Sequence, residues 1–598
     1  MKKKDKTSGQ NKQNRKSLRV SLSERSEKIG DHFSALFLDR LKNVREVRLW
    51  VIEWALLVSV VFLLAIVQAI WYGGSSETTA YVDGGNFSEA TLGKVNSMNP
   101  LYAVTDSEKA LARLLFANLV APDVSGHDKC ILAESVKSDE TGKIWTVKLN
   151  SGMQWSDGQS ITANDLVYTV GLLADSSAKT TVAANFSKVK IEKVDDLTVK
   201  FSLPSAYADF MNNLEFPLVP EHILGKISPA LVYESDFSSN PVGSGPFVLN
   251  ATQNASSSAT DKYTMMLHLN RNTKYFLKNT KLDSFTLKTY ASSDDILRAL
   301  KNLDVMATAE LGISQSTELE KQMNLRQSLL NSGVFAFLNT KTAVLSKQKV
   351  RQAIQQGVDM SVVRSDIDTA AALDYPILEQ QEAGLNYPEL PKYDLEAAKK
   401  LIEAAGYKYN NEGKIIDADG NTMTLSVAVQ KRETIATVAE RLAEQLKKLG
   451  FEVTLSEVDE AQATTDFFAS TVQPRNYDVL VYGIDMGVNA DPFVYYSSTQ
   501  ATNSGWNFSN YADGLMDDAL LSARTTMKKD LRKAKYESFL KMWVNNVPAI
   551  GLYRQSLNYY YAKYVDIYSE DAVLTNTLDR FADVQFWSSE KRTANLTP

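Results

Sequence analysis

Hydrophobic positions change rhythm several times along this chain. Residues 54–72 form an unbroken run of 19 side chains without a charge. At about 1.5 Å per helical residue that run is roughly 28 Å long, close to the ~30 Å hydrocarbon core of a bilayer. Trp50, Trp54, Trp71 and Tyr72 flank it as an aromatic belt would. Farther on, the rhythm shortens. Trp145, Val147 and Leu149 alternate with Ile144, Thr146 and Lys148, which predicts a strand with one buried face. A turn at Thr141-Gly142-Lys143 precedes it, and Asp157-Gly158 marks another after it. Thr162 with Asp165 three residues on predicts a helix start, with Asp in place of the usual Glu or Gln. The clearest βαβ unit spans residues 424–430, 433–449 and 451–455. Ile435, Val438, Leu442, Leu446 and Leu449 share one helical face, and Gly450 stops the helix. A further helix begins at an Asp394 cap and ends before Gly406. The Asn/Ser/Ala-rich segment 251–260 reads as a surface loop.

Charge sharpens this picture. The first 50 residues carry 14 Lys/Arg against 6 Asp/Glu, a net of +8. The whole chain is −6, so residues 51–598 carry −14. An acidic body argues against nucleic-acid binding. Lys42, Arg45 and Arg48 just before the apolar run place the N-terminus in the cytoplasm and the body outside. An uncleaved anchor is favoured over a core helix or a signal peptide, whose basic leader would not be 50 residues long. Residues 1–30 read as disordered, and Phe33 to Leu49 as an amphipathic helix on the inner leaflet or a continuation of the membrane helix. Residues 74–79 read as a short linker. Cys130 is the sole cysteine, so no intrachain disulfide can form. At 598 residues the chain is too long for one core.

Several motifs stand in order. They are Ile131-Leu132-Ala133-Glu134-Ser135 through Thr162-Ala163-Asn164-Asp165, then Asn240-Pro241-Val242-Gly243-Ser244-Gly245-Pro246, Val350-Arg351-Gln352-Ala353-Ile354, Tyr393-Asp394 through Ala405-Gly406-Tyr407, and Val547-Pro548-Ala549-Ile550. Together they resemble the signature blocks of the extracytoplasmic solute-binding proteins, family 5, the oligopeptide/dipeptide-binding group of ABC importers. The resemblance covers roughly residues 84–564. It implies an α/β, two-lobed periplasmic-binding-protein-like fold of the large class, here preceded by one transmembrane helix. Two crossover strands, expected near residues 332–339 and 552–561, would join the lobes around a ligand cleft. Lobe I would comprise residues 80–331 and 562–598, with an extra subdomain at about 116–205, and lobe II residues 332–561. Many members of that group are lipoproteins held by a cysteine after the signal; here the helix would replace the lipid.

Catalytic motifs are missing. GxxxxGK[ST], GxSxG, HExxH and GxGxxG do not occur, and His32, His127, His222 and His268 lack ligand spacing. No enzyme activity, metal or cofactor is therefore expected. The richest binding candidate lies between Tyr477 and Tyr511. There a strand carrying Tyr482, Gly483 and Ile484 leads to Asp485, Asp491, Tyr495, Tyr496, Trp506 and Asn507. Aromatic side chains offer stacking area at low entropic cost, and a few polar groups fix orientation. In the resembled group, a Gly-Trp and an Asp at this strand end pair with a peptide's amino terminus. Here Ile484 replaces the Trp, and either Asp485 or Asp491 would supply the acid. Asp491-Pro492 and Tyr496-Ser497-Ser498-Thr499-Gln500 match a second pattern of the group, and Asn99, after the first strand, is a further candidate. Tyr559, Tyr560 and Tyr561 read as strand packing.

The expected function is a membrane-tethered, monomeric binding protein that captures oligopeptides and delivers them to an ABC permease. The alternatives are a same-fold receptor without transport, or a binder of a sugar, nickel chelate or other solute.

Overall fold

The computed structural model describes residues 48–75, 77–123, 125–180, 186, 188–255, 262–277, 280–430, 433–458 and 467–595. Most of the basic tail and of the amphipathic stretch lies outside them. The chain divides into two compact units, one of residues 1–80 with 592–598 and one of residues 81–591.

Among the described residues, the first unit contains a 28-residue helix, Arg48–Ser75. It is long and apolar enough to cross a membrane, by length and composition. The segment expected as a linker is instead structured. The helix continues to Ser75, and Glu77–Tyr81 is a strand paired with Lys591–Asn595.

The second unit is organised by one ten-stranded sheet. Its strands are β1 (Asn86–Leu92), β2 (Phe247–Asn254), β3 (Met265–Arg271), β4 (Ser284–Tyr290), β5 (Ala307–Thr308), β6 (Met323–Leu338), β7 (Thr424–Gln430), β8 (Glu452–Val458), β9 (Val479–Asp485) and β10 (Ala549–Ala562). Their spatial order is β8-β7-β9-β6-β10-β5-β1-β4-β3-β2. The expected βαβ unit is present: β7 and β8 pair in parallel, joined by helix Glu433–Leu449. The expected loop at 251–260 begins as strand instead, because β2 runs through Asn254 against β3.

β6 and β10 belong to both lobes. They pair antiparallel along most of their length, with a register break between Leu329 and Gly333. Before the break, Met323 and Leu330 pack in the lobe I core. After it, Val334, Ala336 and Leu338 enter one lobe II core, while Phe335 and Phe337 enter a second on the opposite face. The period-two alternation feeds two cores because helices cover both faces, as a near-continuous apolar strand demands. The change of core thus falls between Leu330 and Val334 on β6 and between Tyr553 and Leu557 on β10.

The extra subdomain carries its own antiparallel sheet of Ala133–Ser138, Ile144–Leu149, Thr198–Ser202 and Lys190–Lys193. Trp145, Val147 and Leu149 point inward, as the alternation predicts. Helix Ala163–Ala174 has the capping box: the Asp165 carboxylate accepts the Thr162 N–H at 2.8 Å, and the Thr162 hydroxyl oxygen accepts from Asn164 N–H at 3.2 Å. The Gly243-Ser244-Gly245 turn explains its own composition. A Cβ on Gly243 would lie 2.1 Å from the Leu115 carbonyl oxygen, and one on Gly245 would lie 2.6 Å from the Leu115 carbonyl carbon.

Candidate ligand cleft

β9 ends at the crossover, where backbone hydrogen bonds give way to side chains. The Met486 N–H donates to the Asn331 carbonyl at 2.8 Å, and Asn331 Nδ2 donates to the Gly487 carbonyl at 3.0 Å. Gln381 Nε2 donates to the carbonyls of Met486 and Gly487. Gly487 sits at φ +73°, a left-handed turn that suits glycine. These bonds fix Asp485 at the strand's end. Its Oδ1 accepts the Gly487 N–H at 2.8 Å, and Tyr495 donates its hydroxyl to the Asp485 carbonyl at 2.7 Å.

Asp485 makes no ion pair among the described residues. Its side chain is exposed to solvent, although neighbouring protein atoms crowd its carboxyl group. Burial raises its pKa; the Gly487 N–H lowers it, Asp579 raises it and Lys109 lowers it, with a net upward result. Asp579 and Lys109, the two charges that act on it, both belong to lobe I. A cationic partner would reverse the cost of its ionisation.

Beside it runs an aromatic wall. The Tyr482 ring lies 5.4 Å from Phe508 and 6.4 Å from Phe467. Trp506 packs against Phe468 at 5.5 Å and Phe508 at 5.9 Å, yet is 43% exposed. Gly483 lets the Gln555 side chain pack close against the strand, where a Cβ would meet it at 3.2 Å.

The other candidates lie elsewhere. Ile484 and Tyr496 are core residues, 5% and 1% exposed, not wall residues. Asn507 is fully buried and braces a loop, donating to the carbonyls of Ser497 and Tyr511. Asn99 is also buried and caps the turn Pro100–Tyr102 by accepting the Leu101 N–H. Asp491 is already committed: it pairs with Arg524 of its own lobe at 3.1 Å and accepts the hydroxyl of Tyr207 from lobe I at 3.0 Å. Tyr559, Tyr560 and Tyr561 pack in the lobe I core, as expected.

Sequence reasoning missed the contacts that close the lobes. Arg532 of lobe II reaches Asp209 of lobe I at 3.7 Å and Glu382 at 3.4 Å. Asn489 Nδ2 donates to Asp128 and Asn212 at 3.0 and 2.8 Å. The Ala208 N–H donates to the Arg524 carbonyl at 2.8 Å. No local pattern marks these residues, because each pair is separated by hundreds of positions.

A two-lobed α/β body strapped by two shared strands is the architecture of a solute-binding protein. The chain belongs to the bacterial extracellular solute-binding proteins, family 5, whose model, described as the Middle region, matches residues 130–506. It is 27% identical over 523 residues to the oligopeptide-binding protein AppA of Bacillus subtilis, covering 83% of this chain and 92% of that protein. The solved structure of Bacillus subtilis AppA in complex with a nonapeptide matches with a TM-score of 0.67 at 23% identity, over 85% of this chain and 99% of that one. NikZ from Campylobacter jejuni, in complex with Ni(L-His), matches with a TM-score of 0.69 at 23% identity, over 84% of this chain and 99% of that one.

Proposed function

We propose that this protein captures oligopeptides between its lobes and delivers them to an ABC permease, held at the outer face of the membrane by helix Arg48–Ser75. The observation that carries the ligand class is Asp485, an exposed carboxylate at the end of β9 that makes no ion pair among the described residues and is free to take a peptide's α-ammonium group. Tyr482, Gly483, Tyr495 and Trp506 line the adjoining wall. An extended peptide satisfies its remaining needs through main-chain hydrogen bonds, which tolerate varied side chains. The protein acts as a monomer and carries out no chemistry on its ligand. Relatedness to AppA, a protein named for oligopeptide binding, supports this reading.

Native mass spectrometry of the purified chain tests it. Co-purifying peptides of mixed sequence and narrow length are expected; a single non-peptide mass, such as a metal chelate, refutes the ligand class. Carbonate extraction of membranes tests the tether. The full chain is expected in the pellet and a chain beginning at Tyr81 in the supernatant.

A further inference from the structure

The lobe interface has an uneven charge. Lobe I contributes three carboxyl groups, Asp128, Asp209 and Glu215. Lobe II contributes Glu382 and Asp491 together with Arg524 and Arg532. Five acids therefore meet two arginines, and each arginine is already held by an acid of its own lobe: Arg524 by Asp491 at 3.1 Å and Arg532 by Glu382 at 3.4 Å. Little positive charge is left for the lobe I acids. Asp209 reaches Arg532 only at 3.7 Å. Asp128 receives an amide hydrogen bond from Asn489 instead of a cation.

We propose that this interface is a proton-responsive latch, in which closing the lobes requires the acids of lobe I to take up protons that they release when the lobes part.

Asp209 is 8% exposed, and the groups around it come mostly from the other lobe: Arg532, Glu382 and Asp491, with Tyr536 alongside. From lobe I, Asp128 and Tyr207 also face it. Separation returns it to water. Glu215 shares a site with Asp128; Arg113 and Asp579 are the other charges upon it, and His127 lies near Asp128. Asn489 of lobe II closes over this pair. Burial is the largest cause in both cases, pushing Asp209 up to about 6 and, with the Asp128 charge, raising Glu215 above the usual carboxylate range. The closed-state pKa values exceed ordinary carboxylate values, so the closed form binds more protons. Its advantage is complete below the ordinary range and is lost as pH rises through about 6 for Asp209 and through the raised pKa of Glu215. Each linked proton changes the closing equilibrium by up to about tenfold per pH unit within its window.

The test needs no ligand, so its result is independent of the peptide assignment. Lys190→Cys and Lys400→Cys, both exposed, place one spin label on each lobe of the full chain in detergent, in a Cys130→Ser background. Electron–electron distance measurements are made at pH 8 and pH 5.5. The short-distance population relative to the long one is expected to rise at least about fourfold on acidification, the part that Asp209 alone supplies. Asp209→Asn with Glu215→Gln is expected to show the short distance equally at both pH values, and each single change to reduce the response. A distribution that does not change with pH overturns the proposal. So does a double variant that titrates like the parent.

Discussion

Replacing Asp485 by Asn separates binding from folding. Asn keeps the size of the side chain and the Oδ1 that accepts the Gly487 N–H, and it removes only the charge. The carboxylate is held above its ordinary pKa by burial and by Asp579, so its ionisation is a cost to the empty protein. The variant should therefore melt at or above the parent's temperature. A hydrogen bond to a charged group contributes about 1.5–3 kcal/mol. At about 1.4 kcal/mol per decade, a free-amine peptide should bind roughly 10- to 150-fold more weakly to the variant. The assay is calorimetric titration with one co-purifying peptide in two forms, free and N-acetylated. The parent should prefer the free amine, and the variant should lose that preference while binding the acetylated form as the parent does. If Asp485→Asn weakens both forms equally, or leaves the preference intact, Asp485 is not the amine's partner.

Three further outcomes follow from the same structure. Peptide affinity should have two limbs in pH: an acid limb as Asp485 protonates through its raised pKa, and an alkaline limb as the latch acids deprotonate from about pH 6 upward, with Asp485→Asn removing only the acid limb in calorimetric titrations. Gly243→Ala should lose stability at or above the upper end of about 1–3 kcal/mol in urea unfolding, because its Cβ meets backbone, which has no rotamer to yield; a loss under 0.5 kcal/mol would mean the turn moves freely. Arg580→Met strands Glu89, which is fully buried and otherwise held by the Tyr559 hydroxyl. The cost should be about 3–5 kcal/mol and largely recovered by adding Glu89→Gln; a double variant as unstable as the single one would refute the charge argument.

Much of the scaffold was legible along the chain because its causes are local. The Thr162–Asp165 cap, the Asp394 cap and the β7–helix–β8 unit follow from groups within a few residues of one another. The family motifs were legible for a related reason, and the structure shows what two of them do. Gly243 and Gly245 let a turn press against Leu115, and Arg351 donates to the carbonyls of Leu345, Ser346 and Asn546. They hold the fold and say little about the ligand.

The cleft was only half legible. Alternation and composition located the segment around β9, but not which of its side chains face the gap. Two acids six positions apart, Asp485 and Asp491, look alike in a sequence. Tertiary structure separates them by bringing Tyr207 and Arg524 to Asp491, while Asp485 makes no ion pair among the described residues. Periodicity likewise could not tell that Tyr496 and Asn507 turn inward, since burial there is set by helices 514–525 and 529–546 and by the loop they brace. Local propensity and short-range hydrogen bonding determine where elements begin and end. Burial, pairing of charge and closure of one lobe on the other arise from residues hundreds of positions apart, and only the folded chain brings those together.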